Sequence, residues 1–269
     1  MRRALLAVLL LASACSGEEN KAGDAASAAA VPEAPAAAPS ASAAPAVARS
    51  ESVSNDLYEF EYSYPAAAAA IPDLRKRFDD DLEKQRRALI ESAQVQLADS
   101  KKNGYPFNPL GSWTAWKVVT DLPGWLSLSA EVGSYEGGAH PNHGFDALLW
   151  DRQANAPRPV SELFTSEAEL SRAIRPDFCR ALDRQREQRR GEPVDRGSGN
   201  DFDQCIDPVE STIILGSSNG KAFDRIGVLV APYAAGPYAE GDYEVTLPVT
   251  DAVLAAVKPG FRNSFARGR

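Results

Sequence analysis

The two histidines of the chain, His140 and His143, stand three residues apart in the stretch SYEGGAHPNHG, residues 134–144, with Glu136 before them and Asp146 just after. Imidazoles beside carboxylates could bind a metal, move protons, or shape a recognition loop. A metal site needs three or more ligands in fixed geometry. Pro141 disfavours helical backbone at the residue before it, so the spacing does not put both rings on one helix face, and no metal is expected. Proton transfer or nucleophilic catalysis needs a nucleophile, a base and an orienting group. Ser134 is close in sequence, but no nucleophile-elbow or triad pattern accompanies it, so no catalytic residue is assigned and no cofactor is expected. The catalytic alternative pairs His140 with a carboxylate such as Glu136. The third chemistry uses more of the residues. Gly137 and Gly138 supply backbone shapes closed to other residues, Pro141 fixes a dihedral, and Asn142 can bond local backbone. Tyr135, Gly137, Gly138, His140, Pro141 and Asn142 are therefore expected to form a shaped loop, structural or ligand-contacting.

A second candidate is PYAAGPYAEGDY at 232–243, with Tyr233, Tyr238 and Tyr243 among glycines. Such tyrosines either form a binding rim or cap the core at a turn between strands. The structural reading is preferred here, with Tyr233 kept as the candidate contact.

The first fifteen residues, MRRALLAVLLLASAC, put two arginines before an apolar run too short to span a bilayer, the pattern of an export signal over residues 1–14. The small residues before Cys15 resemble a lipoprotein lipobox, with Ala12 where a larger aliphatic residue is usual. Cys15 is accordingly expected to carry the lipid anchor. In a diderm bacterium, serine rather than aspartate after that cysteine is compatible, by resemblance to known sorting, with outer-membrane placement facing the periplasm. Residues 15–50 are almost entirely Ala, Pro, Ser, Gly and Glu, a composition that cannot bury enough surface to fold. They are expected to be a tether holding a head on the order of 30 Å from the membrane. In the oxidising compartment this implies, the remaining pair, Cys179 and Cys205, is expected to form a disulfide, worth roughly 3 kcal/mol in the chain-entropy picture. Losing Arg2 and Arg3 with the signal lowers 29 basic residues to 27 against 37 acidic ones, a formal charge of −10. That balance argues against nucleic-acid binding, which needs clustered basic charge, and favours a basic partner.

The elements that must position these residues read as follows. LYEFEYSYP alternates as a strand. Leu74, Phe78, Leu82, Leu89, Ala93 and Leu97 recur at helical spacing from Pro72 to Asn103-Gly104. WTAWKVVTD and WLSLSAEVGSY form a hairpin about Leu122-Pro123-Gly124, and residues 145–151 give a further strand. Ser166 with Glu169 makes a capping box, and Pro176 is expected to divide the helix that follows. STIILGSS, DRIGVLVAPY and DYEVTLPV read as strands, followed by a short helix. The fold class is α+β, antiparallel sheets with one long N-terminal helix and further helices packed on them. The head is expected over residues 51–269, with a division into subdomains at 51–135 and 136–269.

The order SYEGGAHPN before LLWD, then PVSELF leading into a helix, then VLVAPYAAGPYAEGDYEVTLPV resembles a known family. It is similar to the extracytoplasmic domain of the lysozyme-sensing anti-sigma factor RsiV and to the non-catalytic domains that precede the catalytic module of some peptidoglycan deacetylases. The resemblance spans residues 55 to 262. It implies a cell-envelope domain that binds a lysozyme-like muramidase or peptidoglycan; the alternative is an envelope polysaccharide hydrolase or deacetylase using His140 with a carboxylate. No sigma-binding segment, transmembrane helix or deacetylase module accompanies these motifs, so binding is expected rather than signalling or catalysis.

Overall fold

The computed structural model describes residues 45–269. The expected signal, Cys15 and most of the tether lie outside the described residues. The chain enters its first strand, β1 (Arg49–Ser54), two residues before the boundary expected at 51, and returns as β2 (Tyr58–Tyr64). Alternation along β2 buries Phe60, Tyr62 and Tyr64. A short turn of helix, α1 (Ala66–Ala69), leads to α2 (Pro72–Asn103). Proline at its first turn costs no hydrogen bond, and Gly104 ends it at φ 76° with its N–H on the Ser100 carbonyl.

β3 (Leu110–Leu122), β4 (Trp125–Tyr135), β5 (Asn142–Asp151) and the two-residue β6 (Ala156–Pro157) complete a six-stranded sheet in sequence order. The sheet is not wholly antiparallel as expected, because β2 and β3 pair parallel. A parallel pair needs a long crossover, and α2 is that crossover. The remaining pairs of this sheet are antiparallel.

The second layer is α3 (Glu167–Arg190), the antiparallel sheet β7 (Thr212–Gly216), β8 (Arg225–Val230) and β9 (Tyr243–Pro248), and α4 (Asp251–Ala256). The Ser166 hydroxyl caps α3 by accepting from the Glu169 N–H at 3.1 Å. Pro176 does not divide the helix as expected; α3 runs through it. An interior proline costs about 3 kcal/mol, and here Leu170, Ile174, Phe178 and Leu182, all buried on one stripe, offset it at roughly 1.5–3 kcal/mol each. Cys179 on α3 and Cys205 are joined by a disulfide, with Cα atoms 5.6 Å apart.

The large sheet separates two cores. Leu126, Leu128, Leu148 and Trp150 pack toward α2, while Trp125 and Leu149 face α3 and the second sheet. Ser134 is in register with Asn142 across β4 and β5, so a division at 135/136 would cut one hairpin. Close pairing also fixes Gly133, where a Cβ would overlap the Trp113 indole on β3. Among the described residues, no helix is long and apolar enough to cross a membrane.

Candidate binding site

The histidine stretch is the connection between β4 and β5. Gly137 takes a left-handed φ of 82°, the conformation glycine tolerates best. Three side chains hold the turn by its carbonyls. Gln96 of α2 donates to Glu136 at 3.2 Å, Asn108 to Gly137 at 3.3 Å, and the Tyr135 hydroxyl to Gly138 at 2.9 Å. Asn142, expected in the loop, instead opens β5, because pairing with Ser134 begins there.

The turn meets the tyrosine segment. The His140 ring stacks on the Tyr238 ring at 4.1 Å between centroids and 27° between planes. The Tyr238 hydroxyl donates to the Pro141 carbonyl at 2.8 Å, and His140 Nδ1 lies 2.9 Å from the same oxygen. A carbonyl only accepts, so His140 donates to it from Nδ1. His143 sets its ring edge toward Tyr238, 6.4 Å between centroids, and its Nε2 lies 3.6 Å from an Asp242 carboxylate oxygen. Tyr233 packs on Tyr238 at 5.4 Å with 53% of its surface exposed and a backbone φ of 69°. A non-glycine residue held at positive φ is strained, and such residues concentrate at binding and active sites. Two stretches far apart in sequence thus form one exposed aromatic face: Tyr233, Tyr238, His140 and His143. Tyr243, by contrast, is fully buried and caps the core.

Other pairings considered from the sequence are not made. Among the described residues His140 has neither a hydrogen bond nor an ion pair with Glu136, and no group of three His, Cys, Asp or Glu side chains could hold a metal. Ser134 lies in a strand pair rather than against an imidazole. Asp146 stands opposite Ala130, in register with Leu128–Leu148 and away from the histidine turn. It lines a cleft of about 1000 Å³ between α2 and β5, together with Asp81 and Trp116. Partial desolvation by the cleft, reinforced by Asp81, raises its pKa above the usual carboxylate value.

The sequence reading missed what lies beneath the tyrosine segment. Arg186, fully buried on α3, donates from Nε to the Ala235 carbonyl at 2.9 Å and from Nη1 to the Gln204 carbonyl at 3.0 Å, beside Asp183 at 3.3 Å. Burial pulls its pKa below the usual guanidinium value despite Asp183. Arg190 binds Glu240 through Nε at 2.9 Å and Nη2 at 3.1 Å, and Asp203 at 2.6 Å. Arg189 lies over the Tyr243 ring, 4.0 Å from its centroid, and bonds the Glu240 carbonyl. Burial works against an ionised Glu240, but Arg190 and the Tyr243 hydroxyl overcome it and hold its pKa down. A Cβ at Gly236 would fall inside the Glu240 carboxylate. The only sequence signal for this network is the arginine-rich end of α3, which reads as a solvated polar run.

A mixed α+β head with a two-sheet core and an exposed aromatic face thus takes shape. Residues 51–143 match the family model described as Deacetylase PdaC. The match runs from β1 through His143 and stops before the tyrosine segment. It names the deacetylase side of the expected resemblance, and it fits an extracytoplasmic, cell-envelope domain. Two solved structures are similar. One is a DUF3298 family member from Bacteroides fragilis, 16% identical, with a TM-score of 0.49, covering 80% of this chain and 95% of that one. The other is a DUF3298 family protein from Pseudomonas aeruginosa, 16% identical, with a TM-score of 0.46, covering 84% of this chain and 99% of that one. No curated protein is detectably similar to the chain.

Proposed function

We propose that the protein is a lipid-anchored envelope binding module, held to the membrane through Cys15, whose aromatic face takes a basic, lysozyme-like muramidase. The observation that carries this reading is Tyr233, exposed and held at positive φ on a stack with Tyr238 and His140. Rigid aromatic side chains of this kind supply most of the energy at protein interfaces. The acidic balance of the chain and the Asp242 carboxylate beside His143 favour a cationic partner by steering. The arrangement of His140 supports binding over hydrolysis, since its ring is engaged with Tyr238 and Pro141 rather than with a carboxylate.

The test is calorimetric titration of the chain against a c-type lysozyme at low and moderate salt, with Tyr233→Ala beside the native protein. Saturable binding that weakens with salt, and at least a tenfold loss on removing Tyr233 with the melting temperature kept, is the expected result. Binding to purified peptidoglycan but not to lysozyme would move the ligand to the wall polymer. Release of products from that polymer would restore the enzymatic alternative.

A further inference from the structure

The disulfide and the aromatic face are joined by two arginines. Cys205 follows directly on Gln204 and Asp203, whose carbonyl and carboxylate accept from Arg186 and Arg190. The same two side chains reach the other way, to the Ala235 carbonyl and the Glu240 carboxylate of the tyrosine segment. Each arginine therefore bridges the loop closed by Cys179–Cys205 to the loop that carries Tyr233 and Tyr238. Arg186 has no exposed surface, and its Nη2 has no partner among the described residues. Loss of the Gln204 carbonyl would leave Nη1 with only its longer 3.3 Å bond to Asp183, beside an Nη2 that already lacks a partner. A buried cation with its bonds thinned in this way is held less firmly in its pocket, and its hold on the Ala235 carbonyl loosens with it.

We propose that the Cys179–Cys205 disulfide sets the order of the aromatic face: closed, it holds the tyrosine segment in place, and reduced, it releases that segment while both sheets stay folded. The proposal rests on the binding role assigned above to Tyr233 and Tyr238. Both cysteines are only partly buried, so a reductant can reach them. Reduction requires a dithiol. Its thiolate attacks one sulfur to give a mixed disulfide, its second thiol displaces the protein sulfur, and two electrons and two protons pass to Cys179 and Cys205 as the dithiol closes to its own disulfide. With the cross-link open, the stretch around Cys205 is held to α3 only by non-covalent contacts: Arg186 and Arg190 on Gln204 and Asp203, Arg175 on the Cys205 carbonyl, and Ser171 on Asp207. The coupling is local: the β4–β5 turn loses its contacts with Tyr238 but keeps Gln96, Asn108 and Tyr135, none of which touches the disulfide loop.

The experiment compares the full chain oxidised, reduced with dithiothreitol, and as the Cys179→Ala/Cys205→Ala variant. Hydrogen exchange is followed by peptide mass spectrometry, and affinity by titration with a c-type lysozyme. Faster exchange at residues 195–207 and 231–243, with a smaller rise at the 136–141 turn and β3 and β4 unchanged, is the expected result. If the competent loop falls to a tenth of the population, lysozyme affinity drops about tenfold. Unchanged exchange at 231–243 after reduction overturns the proposal, and so does an equal rise across both sheets, which would make the disulfide a brace for the whole fold. If exchange rises locally while neither form binds lysozyme, the coupling stands and the lysozyme reading fails.

Discussion

The two halves of the aromatic face are built on opposite principles. The histidine turn is held by neutral donors on the protein surface, Gln96, Asn108 and Tyr135, each bonding one carbonyl. Water replaces such bonds readily, so each is worth only about 0.5–1.5 kcal/mol net. The tyrosine segment is held from below by Arg186 and Arg190, whose bonds to Ala235 and Glu240 are buried or partly buried. Water does not reach Arg186, and its loss leaves partners stranded. The difference assigns roles. The tyrosine side is the fixed reference that sets where a partner lands, and the histidine turn leans on it through the Tyr238–Pro141 bond and the His140 stack.

The largest way to break that contrast is Arg186→Ala. It removes a fully buried cation and strands the Ala235 and Gln204 carbonyls, while Asp183 keeps its pair with Arg196. Chemical denaturation should show a loss of about 2–6 kcal/mol, at roughly 1–3 kcal/mol for each stranded carbonyl. Arg186→Lys should recover little, because one ammonium cannot reproduce the guanidinium fork that reaches two loops at once.

The matching change in the histidine turn, Asn108→Ala, removes a bond to the Gly137 carbonyl that solvent can replace. Stability should fall by about 0.5 kcal/mol, the low end for a neutral bond. Equal losses from the two substitutions would show that the halves are supported alike.

The same contrast explains what could be read in the sequence. Period and punctuation are local, so the alternation of Phe60, Tyr62 and Tyr64, the stripe on α2, the Ser166 cap and the turn at Gly137 were legible. The parallel pairing of β2 and β3 follows from a long helix between adjacent strands, but it was read as antiparallel because neighbouring strands usually are. Pro176 punctuates a sequence strongly, yet the burial of Ile174 and Phe178 on either side overrode it. The site was half legible: both aromatic stretches could be singled out, but their meeting is a tertiary fact, since Tyr238 reaches Pro141 across 97 residues. Arg186 was hidden because an arginine in a charged run reads as solvated, and only the folded chain shows it enclosed.

The smallest predicted effect sharpens the comparison by turning from cations to carboxylates. Glu240 sits in a partly buried site with Arg190 and Tyr243, and its pKa is depressed. Asp146 is solvent-exposed at the rim of the cleft beside α2, where partial desolvation by the cleft and the Asp81 charge raise its pKa. A native state that holds a proton more tightly than the unfolded chain is penalised once that proton leaves. For Asp146 the penalty sets in as pH rises through the interval between the ordinary aspartate value and its raised one, and it is fully present at neutral pH. Asp146→Asn should therefore stabilise the protein at pH 7 by about a few tenths of a kcal/mol, a figure kept small because its side chain is open to solvent and screened. The gain should vanish below the ordinary aspartate range, where the native carboxyl is already neutral. Glu240→Gln should do the reverse, destabilising at pH 7 and losing its effect in acid as the native Glu240 takes up a proton. Melting curves of both variants from pH 7 to pH 3 test the pair: opposite signs at neutral pH that converge in acid would show that a cation within reach, rather than burial alone, decides which carboxylate supports this fold.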